Sequence, residues 1–267
     1  MPDEQLDNAD LARRFGGVAR LYGHAALERF QAAHVCVVGI GGVGSWAVEA
    51  LARSAIGRLT LIDLDMIAES NVNRQLHALS GDFGKAKVSA MAERVAAINP
   101  SCQITLIEDF VTPDNLAHML NAGFDYVVDA IDQVRTKAAM IAWSQQQGVP
   151  LITAGGAGGQ IDPTRIAVAD LAHTLQDPLL AKVRSLLRKE YGFTREAKKK
   201  FGVSAVFSSE PLRYPDYRES GTTCEPPHRL EGLNCAGFGS SVCITAAFGF
   251  FAAGEVLKHL ATPPLHA

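Results

Sequence analysis

Cysteine pairs are missing from this sequence. Its 5 cysteines, Cys36, Cys102, Cys224, Cys235 and Cys243, are scattered, and no two form a Cys-x-x-Cys pair. That argues against a cysteine-ligated zinc site, and an odd, dispersed set fits a reducing compartment better than a disulfide framework. None of the 8 histidines falls at metal-ligand spacing. A strong charge of either sign is also missing. The formal net charge is only −3, so no molecule-wide positive field attracts a polyanion, and any nucleic-acid contact must come from a local patch. Met1-Pro2-Asp3-Glu4-Gln5 is acidic and has no apolar run, so a secretory leader is not expected and the expected location is cytoplasmic. Repeats and low-complexity segments are absent as well.

What remains is the composition of a folded chain. Hydrophobic residues make up 48% and charged residues 20% of 267, which excludes a disordered class and suffices for one large domain. One apolar stretch, 237–257, nearly reaches bilayer-spanning length. Its glycines, serines and Glu255 favour a buried core or dimer-interface helix over a membrane span.

The pattern along the chain alternates. Residues 1–33 read as a helical arm, and 34–39 as a short β-branched run without polar alternation, the mark of a central strand buried on both faces. Helical spacing over 45–52, 85–98 and 135–147 separates further strands at 59–63, 104–107, 124–129 and 149–153. Such βαβ units predict a mainly parallel, Rossmann-like α/β sheet with helices on both faces. Beyond Thr153 the rhythm breaks. A strand at 165–168, a basic helix at 179–191, a Pro/Gly-rich excursion at 211–232 and the apolar helix make up a C-terminal extension. The division is an arm (1–33), a nucleotide-binding core (34–153) and a substrate or dimer part (154–267) within one domain.

Gly39-x-Gly41-x-x-Gly44 follows the first strand and opens a helix. In that context glycines let backbone approach a phosphate, and the helix N-terminus offers unpaired N–H groups. Asp63 closes the next strand about twenty residues on, where a carboxylate can bind ribose hydroxyls. This much suits a dinucleotide equally well. Asp65, Asn71, Asn73, Arg74, Gln75 and Lys87 then tilt the reading towards ATP. A triphosphate needs such a cluster because charge builds on its oxygens as pyrophosphate leaves. Asp132, just past the fourth strand, can hold Mg²⁺ through its carboxylate.

Gly39-Ile-Gly-Gly-Val-Gly44, Asp63-x-Asp65, Ser70-Asn71-x-x-Arg74-Gln75, Lys87 and Asp132 together resemble the nucleotide site of ThiF/MoeB-type adenylyltransferases, relatives of the ubiquitin-activating enzymes. The resemblance implies that Gly39, Gly41, Gly42, Val43 and Gly44 cradle ATP and that Asp63 binds ribose. It further implies Arg74 and Lys87 as catalytic phosphate contacts, Asp132 as the Mg²⁺ residue, and a homodimer in which an N-terminal arginine reaches the partner's ATP. Two departures stand out. Gly17 occupies the position expected for that arginine, with Arg14 and Arg20 nearby, and the family's paired-cysteine zinc site is absent. Both weaken the reading in which the substrate is the C-terminal glycine of a ubiquitin-like sulfur carrier.

A second set of motifs runs through the rest of the chain. Arg14-Phe-Gly-Gly-x-x-Arg20-Leu-Tyr-Gly23, Thr153-Ala-Gly-Gly-Ala-Gly-Gly-Gln-Ile-Asp-Pro163, Gln176-Asp-Pro178, Val206-Phe-Ser-Ser-Glu210 and Cys235-Ala-Gly-Phe-Gly239 are similar to the subgroup of tRNA threonylcarbamoyladenosine dehydratases. The resemblance implies adenylation of a threonine carboxylate on tRNA, then ring closure, with sulfur-transfer proteins as further partners to consider. Lys182, Arg184, Arg188, Lys189 and Lys198-Lys199-Lys200, interleaved with aromatics, are the expected RNA contacts. Cys235 is a candidate nucleophile, as relatives use a cysteine for thioester transfer, yet an intramolecular cyclisation needs no thioester. Cys36 and Cys243 read as core, and His77 as a structural donor.

Overall fold

The computed structural model describes residues 10–121, 123–214 and 238–263. The arm is two helices, α1 (Leu11–Tyr22) and α2 (His24–Ala32), broken at Gly23. Then come β1 (His34–Val38), α3 (Gly44–Arg53), β2 (Arg58–Ile62), α4 (Lys87–Ile98), β3 (Gln103–Ile107) and a single turn, α5 (Leu116–Met119). β4 (Tyr126–Asp129), α6 (Val134–Gln147), β5 (Leu151–Ala154), β6 (Ile166–Asp170), α7 (Pro178–Glu190), β7 (Ser204–Ser208) and α8 (Val242–Ala261) complete it.

These strands form one seven-stranded sheet in the order β3-β2-β1-β4-β5-β7-β6. All neighbours are parallel except β6 and β7, which run antiparallel. The expected Rossmann-like sheet is therefore present. β7 was not anticipated from the sequence: Ser204–Ser208 has a serine at each end and a single β-branched residue, Val206, and it inserts between β5 and β6.

Period-2 side-chain alternation splits the core into two layers. Val35 and Val37 of β1 join Leu59, Leu61, Leu51, Met91 and Phe248 on the face covered by α2, α3, α4 and α8. Cys36 and Val38 face Ile62, Val127, Met140 and Leu187 on the side of α6 and α7. The all-apolar reading of β1 follows from this double burial.

Two expectations need correction. The apolar helix starts at Val242, not 237, because Ser241 caps it by accepting from the Cys243 N–H. It packs Ile244, Phe248 and Val256 into the core. It is also the one helix among the described residues long and apolar enough to cross a membrane, though half of it is buried in the protein. Cys243 was expected in the core but is exposed, since the first turn of α8 turns Ile244 and Thr245 inward instead. The excursion expected at 211–232 lies outside the described residues from 215 onward, and so does Cys235.

Candidate active site

β1 is the strand at which the sheet reverses its winding, flanked by β2 on one side and β4 on the other. In such sheets the crevice beyond the strand C-termini at this reversal holds ligands. Here a cavity of about 310 Å³ opens there, walled by the turn after β1, the ends of β2 and β4, and residues 155–158.

The turn after β1 is set by close approach. Gly39 has φ +88, a left-handed conformation that side chains resist. A Cβ at Gly44 would stand 1.8 Å from the Gly39 carbonyl oxygen. The strand thus passes directly into α3, whose N-terminus carries no side-chain cap and faces the cavity. Uncapped N–H groups and the positive dipole end are features that can receive an anion.

Asp63 ties this turn to β2. Its Oδ2 accepts from the Ile40 N–H at 2.6 Å and its Oδ1 from the Asp65 N–H at 2.8 Å. Burial pushes its carboxyl above the usual range, opposed by the Lys87 charge and these two N–H groups. Each oxygen keeps a further lone pair for a hydroxyl donor. Lys87, only 5% exposed, places Nζ 2.7 Å from Asp65 Oδ2, and an ammonium has two more donors to offer.

Arg74, Gln75 and Asp132 also line the cavity, with Gly39, Gly41, Gly42, Val43, Asp63, Asp65 and Lys87. Asn71, Asn73 and Gly44 do not. Asn71 Oδ1 accepts from the Ala68 N–H within a short 3₁₀ turn, and Asn73 Nδ2 donates to the Ser240 carbonyl and Oγ. These asparagines hold the wall together. Arg14 donates to the carbonyls of Ala97 and Ile98, closing the C-terminal end of its own chain's α4.

Several cavity residues gave no signal of their own. Phe110 and Val111 follow the edge strand β3, and Ser240 and Thr245 arrive from the start of α8, remote in sequence. Asp177 accepts from the Gly156 N–H at 2.9 Å and caps α7 through the Leu180 N–H at 2.9 Å. Its Asp-Pro spacing signals a helix start, but not a hold on the far wall. Beneath the β4 end, Lys137 is fully buried and donates to Asp129 Oδ1 at 2.9 Å and to the Ile131 carbonyl at 2.8 Å.

His77 corrects another expectation. It is 3% exposed, but neither ring nitrogen has a hydrogen-bond partner among the described residues. Burial first, then the Lys87 charge, pull its pKa down to about 4. A lowered folded-state pKa means the unfolded chain takes up the proton first, so this contribution to stability is complete above the ordinary value and lost as pH falls. Between pH 7 and pH 5 His77 should cost about 2 kcal/mol of stability. Urea unfolding of His77→Gln at both pH values checks this: its acid loss should be smaller than wild type's by that amount, and an equal loss would assign the acid sensitivity elsewhere.

The ThiF family profile matches residues 16–266. The tRNA threonylcarbamoyladenosine dehydratase of Haemophilus influenzae is 54% identical over 257 residues, covering 96% of this chain and 95% of that protein. The crystal structure of the Escherichia coli tRNA N6-threonylcarbamoyladenosine dehydratase in complex with ATP superposes with a TM-score of 0.84 at 51% identity, covering 94% of this chain and 96% of that one. The molybdopterin-synthase adenylyltransferase of Salmonella typhimurium is 34% identical over 126 residues, only 47% of this chain and 50% of that protein. The chain therefore belongs to the ThiF family, in the branch formed by the tRNA threonylcarbamoyladenosine dehydratases.

Proposed function

We propose that this chain is an ATP-dependent tRNA threonylcarbamoyladenosine dehydratase. The carrying observation is the extent of the likeness: 96% of the chain aligns with a dehydratase, against 47% with a molybdopterin-synthase adenylyltransferase. The threonyl carboxylate attacks the α-phosphate of ATP, forming an acyl-adenylate and releasing pyrophosphate. A nitrogen or oxygen of the same modification then attacks the activated carbonyl, the acyl–oxygen bond breaks and AMP leaves. The nucleoside has lost one water. Holding both groups on one substrate makes ring closure fast, since an intramolecular nucleophile has a very high effective concentration.

The cavity suits these roles. The turn at 39–44 and the start of α3 receive phosphates, Asp63 accepts from ribose hydroxyls, and Arg74 and Lys87 face the charge that grows on the leaving pyrophosphate. Asp132 supplies an oxygen ligand at the end of β4. No group of three or more His, Cys, Asp or Glu side chains could cage a metal among the described residues. Mg²⁺ needs no such cage, since it binds through one or two carboxylates plus phosphates and water, and Asp65 and Asp132 both line the cavity. When bound, the ion would neutralise phosphate charge.

The same reading makes the chain a single ThiF-type domain, cytoplasmic, and a homodimer with tRNA as its partner. Phe250 and Phe251 on α8, 48% and 41% exposed, supply apolar surface for self-association. Sulfur-transfer proteins remain proposed partners on resemblance alone. Mass spectrometry of nucleosides from tRNA bearing threonylcarbamoyladenosine, incubated with the protein and Mg-ATP, tests the function. ATP-dependent loss of one water supports it. An unchanged nucleoside, with pyrophosphate exchange driven by a Gly-Gly-tailed carrier protein, would replace it with the sulfur-carrier reading.

A further inference from the structure

α7 has two unlike faces. Leu180, Val183 and Leu187 are buried in the core, while Ala181, Arg184, Ser185 and Arg188 recur at the spacing of the opposite face. After Tyr191 the chain turns back along that outer face and brings Arg195 beside it. The result is a second, open cavity of about 670 Å³ whose charged lining is Arg184, Arg188, Lys189 and Arg195, with no carboxylate.

Two of these cations are held in place. Arg188 Nε donates to the Thr194 carbonyl at 3.2 Å, and its Cζ lies 5.2 Å from the centre of the Phe201 ring. Phe201 in turn meets Phe193 edge-on at 5.0 Å. Arg184 is hydrogen-bonded to Thr174 Oγ1. Burial, then the like charge of Arg188, lowers its pKa against the weaker attraction of Asp177. Among the described residues none of the three guanidiniums is ion-paired with a carboxylate, and Lys189 makes a long ion pair with Glu190, at 3.9 Å. Cations crowded together and held rigid repel one another, and an anion relieves that repulsion.

We infer that this cavity seats a backbone phosphate of the tRNA substrate, outside the adenylation site. The inference rests on the dehydratase reading. Planar guanidiniums fork onto phosphate oxygens, and preorganised ones lose little freedom in doing so. The placement is apt. Leu179, at the start of α7, lines the adenylation cavity, and the helix rises only ~14 Å from there to Arg188. A strand with its modified base in the first cavity can lay a neighbouring phosphate in the second. The basic cluster seen in the sequence is thus divided. Arg184, Arg188 and Lys189 line the seat with Arg195, whereas Lys182 and Lys198-Lys199-Lys200 stand outside it, and Lys199 is paired with Glu196 at 2.7 Å.

The test compares Arg195→Gln and Arg184→Gln/Arg195→Gln with Lys198→Gln/Lys199→Gln, which removes the same two charges nearby. Binding to tRNA carrying threonylcarbamoyladenosine is measured over a salt series. Each lost phosphate contact should weaken binding about fivefold at physiological salt and flatten the logarithmic salt slope by about 0.7 to 0.9. The lysine pair should change both by less than half as much as the arginine pair, with ATP affinity kept throughout. Arg195 is exposed, so its single variant tests the seat even where Arg184→Gln disturbs folding. Wild-type affinity and slope in Arg195→Gln, or equal effects of the two pairs, would overturn the seat. If the wild type itself neither binds nor dehydrates this tRNA, the dehydratase reading fails instead.

Discussion

Arg74→Ala is expected to lower adenylation turnover by about a hundredfold or more, the scale of losing a charge partner for the transition state. The arginine is anchored so that the loss is one of charge, not of fold. Its carbonyl accepts from Trp46 Nε1 at 3.0 Å and from Thr245 Oγ1 at 3.5 Å, which ties its backbone to α3 and α8. The guanidinium is steadied by the Ser70 carbonyl at 2.9 Å and Asn73 Oδ1 at 3.0 Å, both through Nη1. Its remaining N–H groups belong to a side chain that lines the cavity. Alanine keeps every backbone bond and deletes the cation. Pyrophosphate release under single-turnover conditions should therefore collapse while tRNA affinity stays. Asp132→Ala should match it in size, and Asp132→Asn should raise the Mg²⁺ concentration needed for half-maximal rate. A variant within tenfold of wild type would remove that residue from the phosphate site.

Lys137→Met should destabilise the fold by about 3 to 5 kcal/mol, the range for stripping one partner from a buried pair. Both Lys137 and Asp129 side chains are fully buried. Asp129 also accepts from Thr153 Oγ1 at 2.7 Å, joining β4 to β5, and the Ile131 carbonyl takes the ammonium at 2.8 Å. Removing the lysine strands a carboxylate in the core and releases the segment that carries Asp132. Urea unfolding reads the first effect. The second should show as lower turnover in whatever protein remains folded, with tRNA affinity kept. Asp129→Asn/Lys137→Met should recover part of the lost stability, since the uncompensated charge is gone. A loss below about 1 kcal/mol for the single change would mean that the pair is not what holds this corner.

Much of this protein was legible before its structure. The β-branched run at 34–38, the glycines after it and the helix at 44–53 belong to one local pattern, because a strand buried on both faces and a phosphate turn each impose their own residue types. Asp63, Lys87 and Asp132 were identifiable for the same reason, since each stands just beyond a strand or at a helix start, whereas Arg74 lies in the loop between β2 and α4 and was read from its place in the string Ser70-Asn71-x-x-Arg74-Gln75. Local order determined the Rossmann-like core and the string of residues around its open edge.

The rest is long-range. β7 is a strand only because β5 and β6 lie on either side of it, and Ser-Ala-Val-Phe-Ser, with Val206 its one β-branched residue, carries little strand preference of its own. Asn71 and Asn73 share a segment with Arg74, yet their side chains turn into the wall, since hydrogen bonds to Ala68 and Ser240 outcompete the cavity. Lys137 looks in sequence like any helix lysine, and only the packing of α6 beneath β4 and β5 makes it a buried cation. The basic run after Pro178 reads as one patch, but the return of the chain past Tyr191 gathers some of its charges into a cavity and leaves the others in solvent. Sequence settles what a residue can do within a few positions of its neighbours, while burial, pairing and charge crowding are properties of segments that meet only when the chain has folded.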